Sequence, residues 1–158
     1  MFQKLVEAHR KQHDGSAPSW SILCSFLERL HGWDTQESAI RIGVFSLYVA
    51  LLEQVPSPAL RALLAEGHRL PPLLGYTLCR RDFFIEQPPL PQFDLLLGNP
   101  PWVSRRSDRT RSALDWCKLH DYPVPGGEIA WAFLWKAAHH LTADGRIARC
   151  YCLQWGYC

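Results

Sequence analysis

Apolar residues recur along this chain with two periods, and each period predicts a different element. Phe2, Leu5 and Val6 fall on one side of a helix over Phe2 to Gln12, which Asp14-Gly15-Ser16 ends and which no capping residue precedes. Ser21 to His31 is apolar, and Leu30-His31-Gly32-Trp33-Asp34 at its close predicts a short buried strand stopping at Asp34. The clearest helix runs from Glu37 to Glu53, with Ile40, Val44, Leu47, Tyr48 and Leu51 on one stripe and Pro56 and Pro58 terminating it. A short helix over Leu60 to Glu66 follows, then a strand-like stretch from Leu73 to Arg80 that ends at Asp82-Phe83. A proline-rich connection leads to an apolar strand, Phe93 to Gly98. Pro125-Gly126-Gly127 breaks the chain before a second helical stripe, Glu128 to Leu141, carried by Ile129, Phe133, Ala137 and Leu141. Ala143-Asp144-Gly145 then turns the chain into a final strand, Arg146 to Cys152. Strands and helices alternate, so the predicted class is α/β, a mainly parallel sheet with helices on both faces.

Composition narrows this only slightly. A chain of 158 residues, 47% hydrophobic and 20% charged, makes one soluble globular domain at most. The formal charge of +2 is too small to argue for a nucleic-acid partner. Local clustering says more. Arg105, Arg106, Arg109 and Arg111 are interleaved with Ser104, Ser107, Thr110 and Ser112, a basic, hydroxyl-rich loop that suits either phosphate contact or plain solvation. No apolar stretch is long enough to span a bilayer, and no secretory pattern opens the sequence. The six cysteines form no Cys-x-x-Cys pair and have no histidine at a zinc-ligand offset. They read as reduced thiols of a cytoplasmic protein, and no metal is expected. His139-His140 reads as half-buried helix surface, and Trp131 and Trp135 as core or groove residues.

The chemistry concentrates where the apolar strand ends, at Asn99-Pro100-Pro101-Trp102. An exocyclic amino nitrogen on an aromatic base is a poor nucleophile, because its lone pair is delocalised into the ring. Two acceptors aimed at its N–H groups favour the tetrahedral geometry it needs in the transition state. Asn99 offers a side-chain carbonyl, and Pro100 a backbone carbonyl with no N–H of its own to compete. Each precedes a proline, so the turn is held extended and stiff. Trp102 adds a face on which a base could stack after leaving the duplex. Against this stands the ordinary use of Asn-Pro as a turn former in a chain that also contains Pro71-Pro72 and Pro88-Pro89. A chance Asn-Pro-Pro-aromatic in a chain this size is about a one-in-a-thousand event.

In open α/β sheets ligands bind beyond the carboxyl ends of the strands. Asp34, Asp82 and Asn99 each end a different predicted strand, so all three are expected at one sheet edge. The simpler readings are a helix N-cap for Asp34, a turn residue for Asp82 and a core ring for Phe83.

With these residues in view, the pattern resembles the S-adenosylmethionine-dependent N6-adenine DNA methyltransferases, especially the large type I and type IIG-like bacterial enzymes. Asn99-Pro100-Pro101-Trp102 and its lead-in Phe93-Asp94-Leu95-Leu96-Leu97-Gly98 are similar to their catalytic Asn/Asp-Pro-Pro-aromatic segment. His31-Gly32-Trp33-Asp34, with Ala39 and Phe45-Ser46-Leu47-Tyr48, resembles their second strand and the helix after it. Glu128 through Ala148 resembles the helix and Asp-Gly-Arg turn that enter their fifth strand.

The resemblance implies an incomplete Rossmann-like fold and S-adenosylmethionine as methyl donor. Asp34 would hold the cofactor ribose, Asp82 would accept from its adenine amino group, and Phe83 would pack on that ring. Double-stranded DNA would be the partner, within a restriction-modification system. Asn99 and Pro100 would polarise the target amine, Pro101 would stiffen the turn and Trp102 would stack on the flipped adenine. The family's glycine-rich loop, of the type Asp-Pro-Ala-Cys-Gly-Ser-Gly, its last strands and its target-recognition domain have no counterpart in these 158 residues. The chain is therefore expected to be an internal fragment that by itself binds the cofactor poorly and transfers little or no methyl. Two other readings stay open: an RNA or protein-glutamine N-methyltransferase built on the same turn, and an inactive remnant.

Overall fold

The computed structural model describes residues 1–85, 91–99 and 110–149. The chain divides into two compact units, Met1–Phe83 and Phe84–Cys158.

The first unit begins with α1 (Phe2–Gln12) and α2 (Trp20–Glu28). Ser19 caps α2, its hydroxyl accepting from the Ile22 N–H at 3.5 Å. After β1 (Gly32–Asp34) comes α3 (Glu37–Leu52), then α4 (Ser57–Ala65), with a proline in its first turn, and β2 (Leu78–Arg80). The core forms where α1, α2 and α3 meet: Phe2, Val6, Leu23, Leu27, Leu51 and Leu73 are buried together. Each fully buried leucine of this kind contributes about 2 kcal/mol. Tyr48, half-buried on α3, ties the helix to the following segment by donating to the Pro71 carbonyl at 2.7 Å.

β1 and β2 form a two-stranded parallel sheet in which Gly32, Trp33 and Asp34 face Leu78, Cys79 and Arg80. Glycine at position 32 makes the approach possible. A Cβ there would lie 2.8 Å from Leu78 Cδ2, while Gly43 of α3 approaches the other methyl of the same leucine. The α3 helix therefore packs on the face of the sheet to which position 32 points.

Two sequence expectations change here. The strand ending at Asp34 is half-buried rather than buried. The strand-like stretch from Leu73 to Arg80 keeps only its last three residues as β2. Leu73 begins a tight turn in which its carbonyl accepts from the Tyr76, Thr77 and Leu78 N–H groups, and Gly75 takes the positive φ of 80° that the turn requires.

The second unit contains β3 (Phe93–Gly98), α5 (Arg111–Leu119), α6 (Ala130–His139) and β4 (Leu141–Arg149). A single 3-10 turn, Pro125–Gly127, precedes α6. β3 and β4 pair in parallel, with Leu95, Leu96, Leu97 and Gly98 opposite Arg146, Ile147, Ala148 and Arg149. The Ala143-Asp144-Gly145 segment, expected as a turn before the strand, is an irregularity inside it. Between the Phe93–Leu141 and Leu95–Arg146 pairs the register shifts, so β4 bulges outward.

α5 was not expected. Its buried residues, Ala113, Trp116 and Cys117, recur at helical spacing, and α5 packs against α6, whose Ala130, Ala132, Lys136 and Ala137 are buried. The arginine-rich character of the preceding stretch hides that short stripe.

Lys136 is 1% exposed. Its Nζ donates to the Phe84 carbonyl at 3.2 Å and lies 5.2 Å from the Trp116 ring and 5.7 Å from the Phe84 ring. Carbonyl and rings together compensate the loss of water around the ammonium. Lys136→Met keeps the apolar stem but strips the Phe84 carbonyl of this donor. A loss of about 1–2 kcal/mol is expected in urea unfolding; an unchanged midpoint would show that the ammonium contributes nothing net.

The sequence-level expectation of one parallel sheet is met only in part. The described residues form mixed α/β structure with two short parallel sheets, one in each unit.

Candidate functional site

In the first unit the strand order brings Asp34 and Asp82 together. Asp34 is the last residue of β1, and its backbone carbonyl accepts from the Arg81 N–H at 3.0 Å, one residue before Asp82. Both carboxylates therefore belong to the carboxyl end of the β1–β2 sheet. Asp34 is exposed, and its Oδ1 accepts from the Gln36 N–H at 2.7 Å. That bond closes a turn just before α3, whose N-cap is Gln36 rather than Asp34 as the capping reading had it, and it engages one carboxylate oxygen. Asp82 and Phe83 are half-buried.

The first turn of α3 continues this rim. Glu37 accepts from Arg41 Nε at 2.9 Å and from its Nη2 at 2.6 Å, and it lies 4.0 Å from an Arg80 nitrogen. The hydrogen bond from Arg41, with its charge, holds the Glu37 carboxyl below its usual range. Arg80 is also fixed from the backbone, donating from Nε to the Thr35 carbonyl at 3.1 Å. The rim is thus one of carboxylates and guanidinium groups held on short, regular elements.

Aromatic rings neighbour these acids in sequence. Trp33 stacks on Phe83 with centroids 6.2 Å apart and planes 26° from parallel, and His31 lies 6.2 Å from Trp33. Trp33 escaped the sequence reading, although it immediately precedes Asp34. Its signal was there, a large ring beside a strand-ending acid, but only the pairing of β1 with β2 puts Phe83 next to it.

Partial burial pushes the His31 imidazole below its ordinary range, so the folded state favours the neutral ring. His9 moves the same way, for the same reason and through its neighbour His13. A histidine lowered in the folded state contributes stability that is present above the unfolded value, roughly 6.5. That stability is lost as the pH falls through the folded value, because the unfolded chain takes up the proton first. The thermal midpoint is therefore expected to drop between pH 7 and pH 5.5, and His31→Gln to flatten part of that drop. Melting curves across that interval check it; a His31→Gln curve parallel to wild type would contradict it.

In the second unit, Asn99 follows the last residue of β3 and is exposed. It thus stands at the carboxyl end of a parallel strand, where its sequence position put it. Pro100, Pro101 and Trp102 lie outside the described residues, as do Arg105, Arg106 and Arg109. Arg111 is described, and it corrects the loop expectation: it is the first residue of α5, exposed, next to the buried Thr110. The expected convergence of Asp34, Asp82 and Asn99 on the edge of one sheet is not met among the described residues, since the two aspartates and the asparagine end strands of different sheets.

The second unit also carries a cluster of stacked rings. Tyr122 stacks on Trp135 at 5.1 Å and on Trp116 at 5.7 Å, and its hydroxyl shares a 2.7 Å hydrogen bond with His139 Nε2. Trp135 donates from its indole nitrogen to the Pro123 carbonyl at 2.9 Å. These contacts clamp the loop between α5 and α6, and Trp131 and Trp135 are half-buried. Burial raises the Cys117 thiol, so this cysteine packs as an unreactive apolar group. Among the described residues no cluster of three or more His, Cys, Asp or Glu side chains could hold a metal ion. No single helix among them is long and apolar enough to cross a membrane.

No family model matches this chain, and neither a curated protein nor a solved structure resembles it significantly.

Proposed function

We propose that this chain is part of an adenine-specific DNA methyltransferase with a Rossmann-like sheet, using S-adenosylmethionine as methyl donor. The observation that carries the reading is Asn99, exposed at the carboxyl end of the apolar parallel strand β3 and continued in sequence by Pro-Pro-Trp. An asparagine carbonyl at a strand end can accept an N–H of an amino group brought to it, and a stiff proline backbone supports its aim.

The β1–β2 sheet of the first unit supports the cofactor half of the proposal. The exposed Asp34 carboxylate has one oxygen engaged by the turn into α3, and its other oxygen could accept from a ribose hydroxyl. Asp82 and Phe83 follow on the neighbouring strand end, suited to an adenine amino group and ring. S-adenosylmethionine would supply a methyl group activated on a sulfonium sulfur. The two parallel pairs also fit this reading, because parallel strands normally belong to wider sheets covered on both faces. Arg105, Arg106, Arg109 and Arg111 would contact DNA phosphates, with Arg111 doing so from the start of α5.

The test uses the chain extended upstream by a strand and a glycine-rich loop of the family type, supplied with labelled methyl donor. Duplex DNA, RNA and protein are offered together. Label on adenine in DNA is the expected result. Label in RNA or on a glutamine side chain would replace this reading by the other N-methyltransferase chemistry, and no transfer to any acceptor would favour an inactive remnant.

A further inference from the structure

Trp33 immediately precedes Asp34, the acid that ends β1. Position 32 faces Leu78 and α3, so strand alternation directs Trp33 to the opposite side of the β1–β2 sheet. Its ring meets Phe83 at 6.2 Å, stacked with the planes 26° apart, and His31 lies 6.2 Å from the same indole. Phe83 follows the end of β2, three residues past Arg80. Indole stacking restricts the orientation of its ring and does so beside Asp82.

We propose that Trp33 is a positioning residue for nucleoside binding at this strand end: by stacking on Phe83 it holds that ring in the plane against which an adenine packs. The inference rests on the cofactor site proposed above and adds to it a residue that touches neither the ribose nor the base. A flat ring held by a second flat ring keeps its face presented. An aliphatic side chain of similar size fills the same volume but removes this ring-on-ring contact from Phe83. Aromatic pairs of this kind contribute about 0.5–1.5 kcal/mol beyond the area they bury, which corresponds to a change of roughly two- to ten-fold in a binding constant.

The experiment is equilibrium dialysis of labelled adenosine, at up to millimolar concentrations, against the full 158-residue chain and its variants. Adenosine is chosen because it carries only the part of the donor that Asp34, Asp82 and Phe83 would contact. Trp33→Phe is expected to bind within two-fold of wild type, whereas Trp33→Leu binds about five-fold more weakly with a matching circular dichroism spectrum. Rescue by the ring and not by bulk separates positioning from packing. Equal binding by Trp33→Leu and wild type, with binding lost in Asp82→Asn, would overturn the role of Trp33 and leave the cofactor site standing. Equal weakening in Trp33→Phe and Trp33→Leu would reduce Trp33 to a packing residue and overturn the inference. Absence of adenosine binding by wild type would remove both.

Discussion

Asn99→Ala is expected to lower adenine methylation by about 100- to 1,000-fold, with binding of the methyl donor unchanged. The residue is exposed one position past Gly98. Its loss removes an acceptor for the reacting amine and leaves every group assigned to ribose and adenine in the chain. An effect confined to the transition state lowers kcat and kcat/KM together. Asn99→Asp retains an acceptor oxygen of the same reach and should lose less. The measurement is the initial rate of label transfer to duplex DNA by the upstream-extended chain, with donor affinity determined in parallel. Full activity in Asn99→Ala would remove the asparagine from the chemistry, and with it the main support for the proposed function.

Gly145→Ala is expected to destabilise the second unit by about 2–3 kcal/mol, the cost of forcing an extra carbon into packed surroundings. A Cβ at position 145 would sit 2.8 Å from the Phe93 carbonyl oxygen and 3.0 Å from Leu141 Cβ and Cδ2. The first of these is backbone, which cannot swing aside as a side-chain tip can. The same point is held from several sides. The Phe93 N–H donates to the His140 carbonyl at 2.7 Å, and the Thr142 hydroxyl donates to Asp94 Oδ1 at 3.1 Å. Relief would have to come from separating β3 and β4 at the bulge, and that would misplace the strand that leads to Asn99. Urea unfolding checks the prediction, with Ala143→Ser at an exposed neighbouring position as the control. A Gly145→Ala midpoint equal to that of the control would show that the bulge tolerates the carbon.

Much of the local structure was legible from hydrophobic spacing. α1 runs from Phe2 to Gln12 and β3 from Phe93 to Gly98, each with the bounds its pattern predicted. α3 differs from its predicted span by a single residue at the end, because the stripe through Ile40, Val44, Leu47 and Leu51 is long and Pro56 stops it soon after. Short or interrupted patterns were read less well. The apolar residues between Leu73 and Leu78 resemble a strand until Gly75 turns the chain, and the choice depends on backbone hydrogen bonds to Leu73 that composition does not encode. α5 was hidden because its stripe of Ala113, Trp116 and Cys117 is only three residues wide and follows an arginine- and serine-rich stretch.

The candidate site divides in the same way. Asp34, Asp82 and Asn99 could be picked out along the chain because each is a polar residue at the end of an apolar run, and that contrast is a property of sequence alone. Which of them meet was decided in three dimensions. Asp34 and Asp82 share a sheet edge because the Asp34 carbonyl pairs with the Arg81 N–H, whereas Asn99 ends a strand of the other sheet. The Trp33–Phe83 stack and the burial of Lys136 between Phe84 and Trp116 are of the same kind. They join residues 50 and 52 positions apart, and periodicity, which compares neighbours a few residues away, carries no information at that separation.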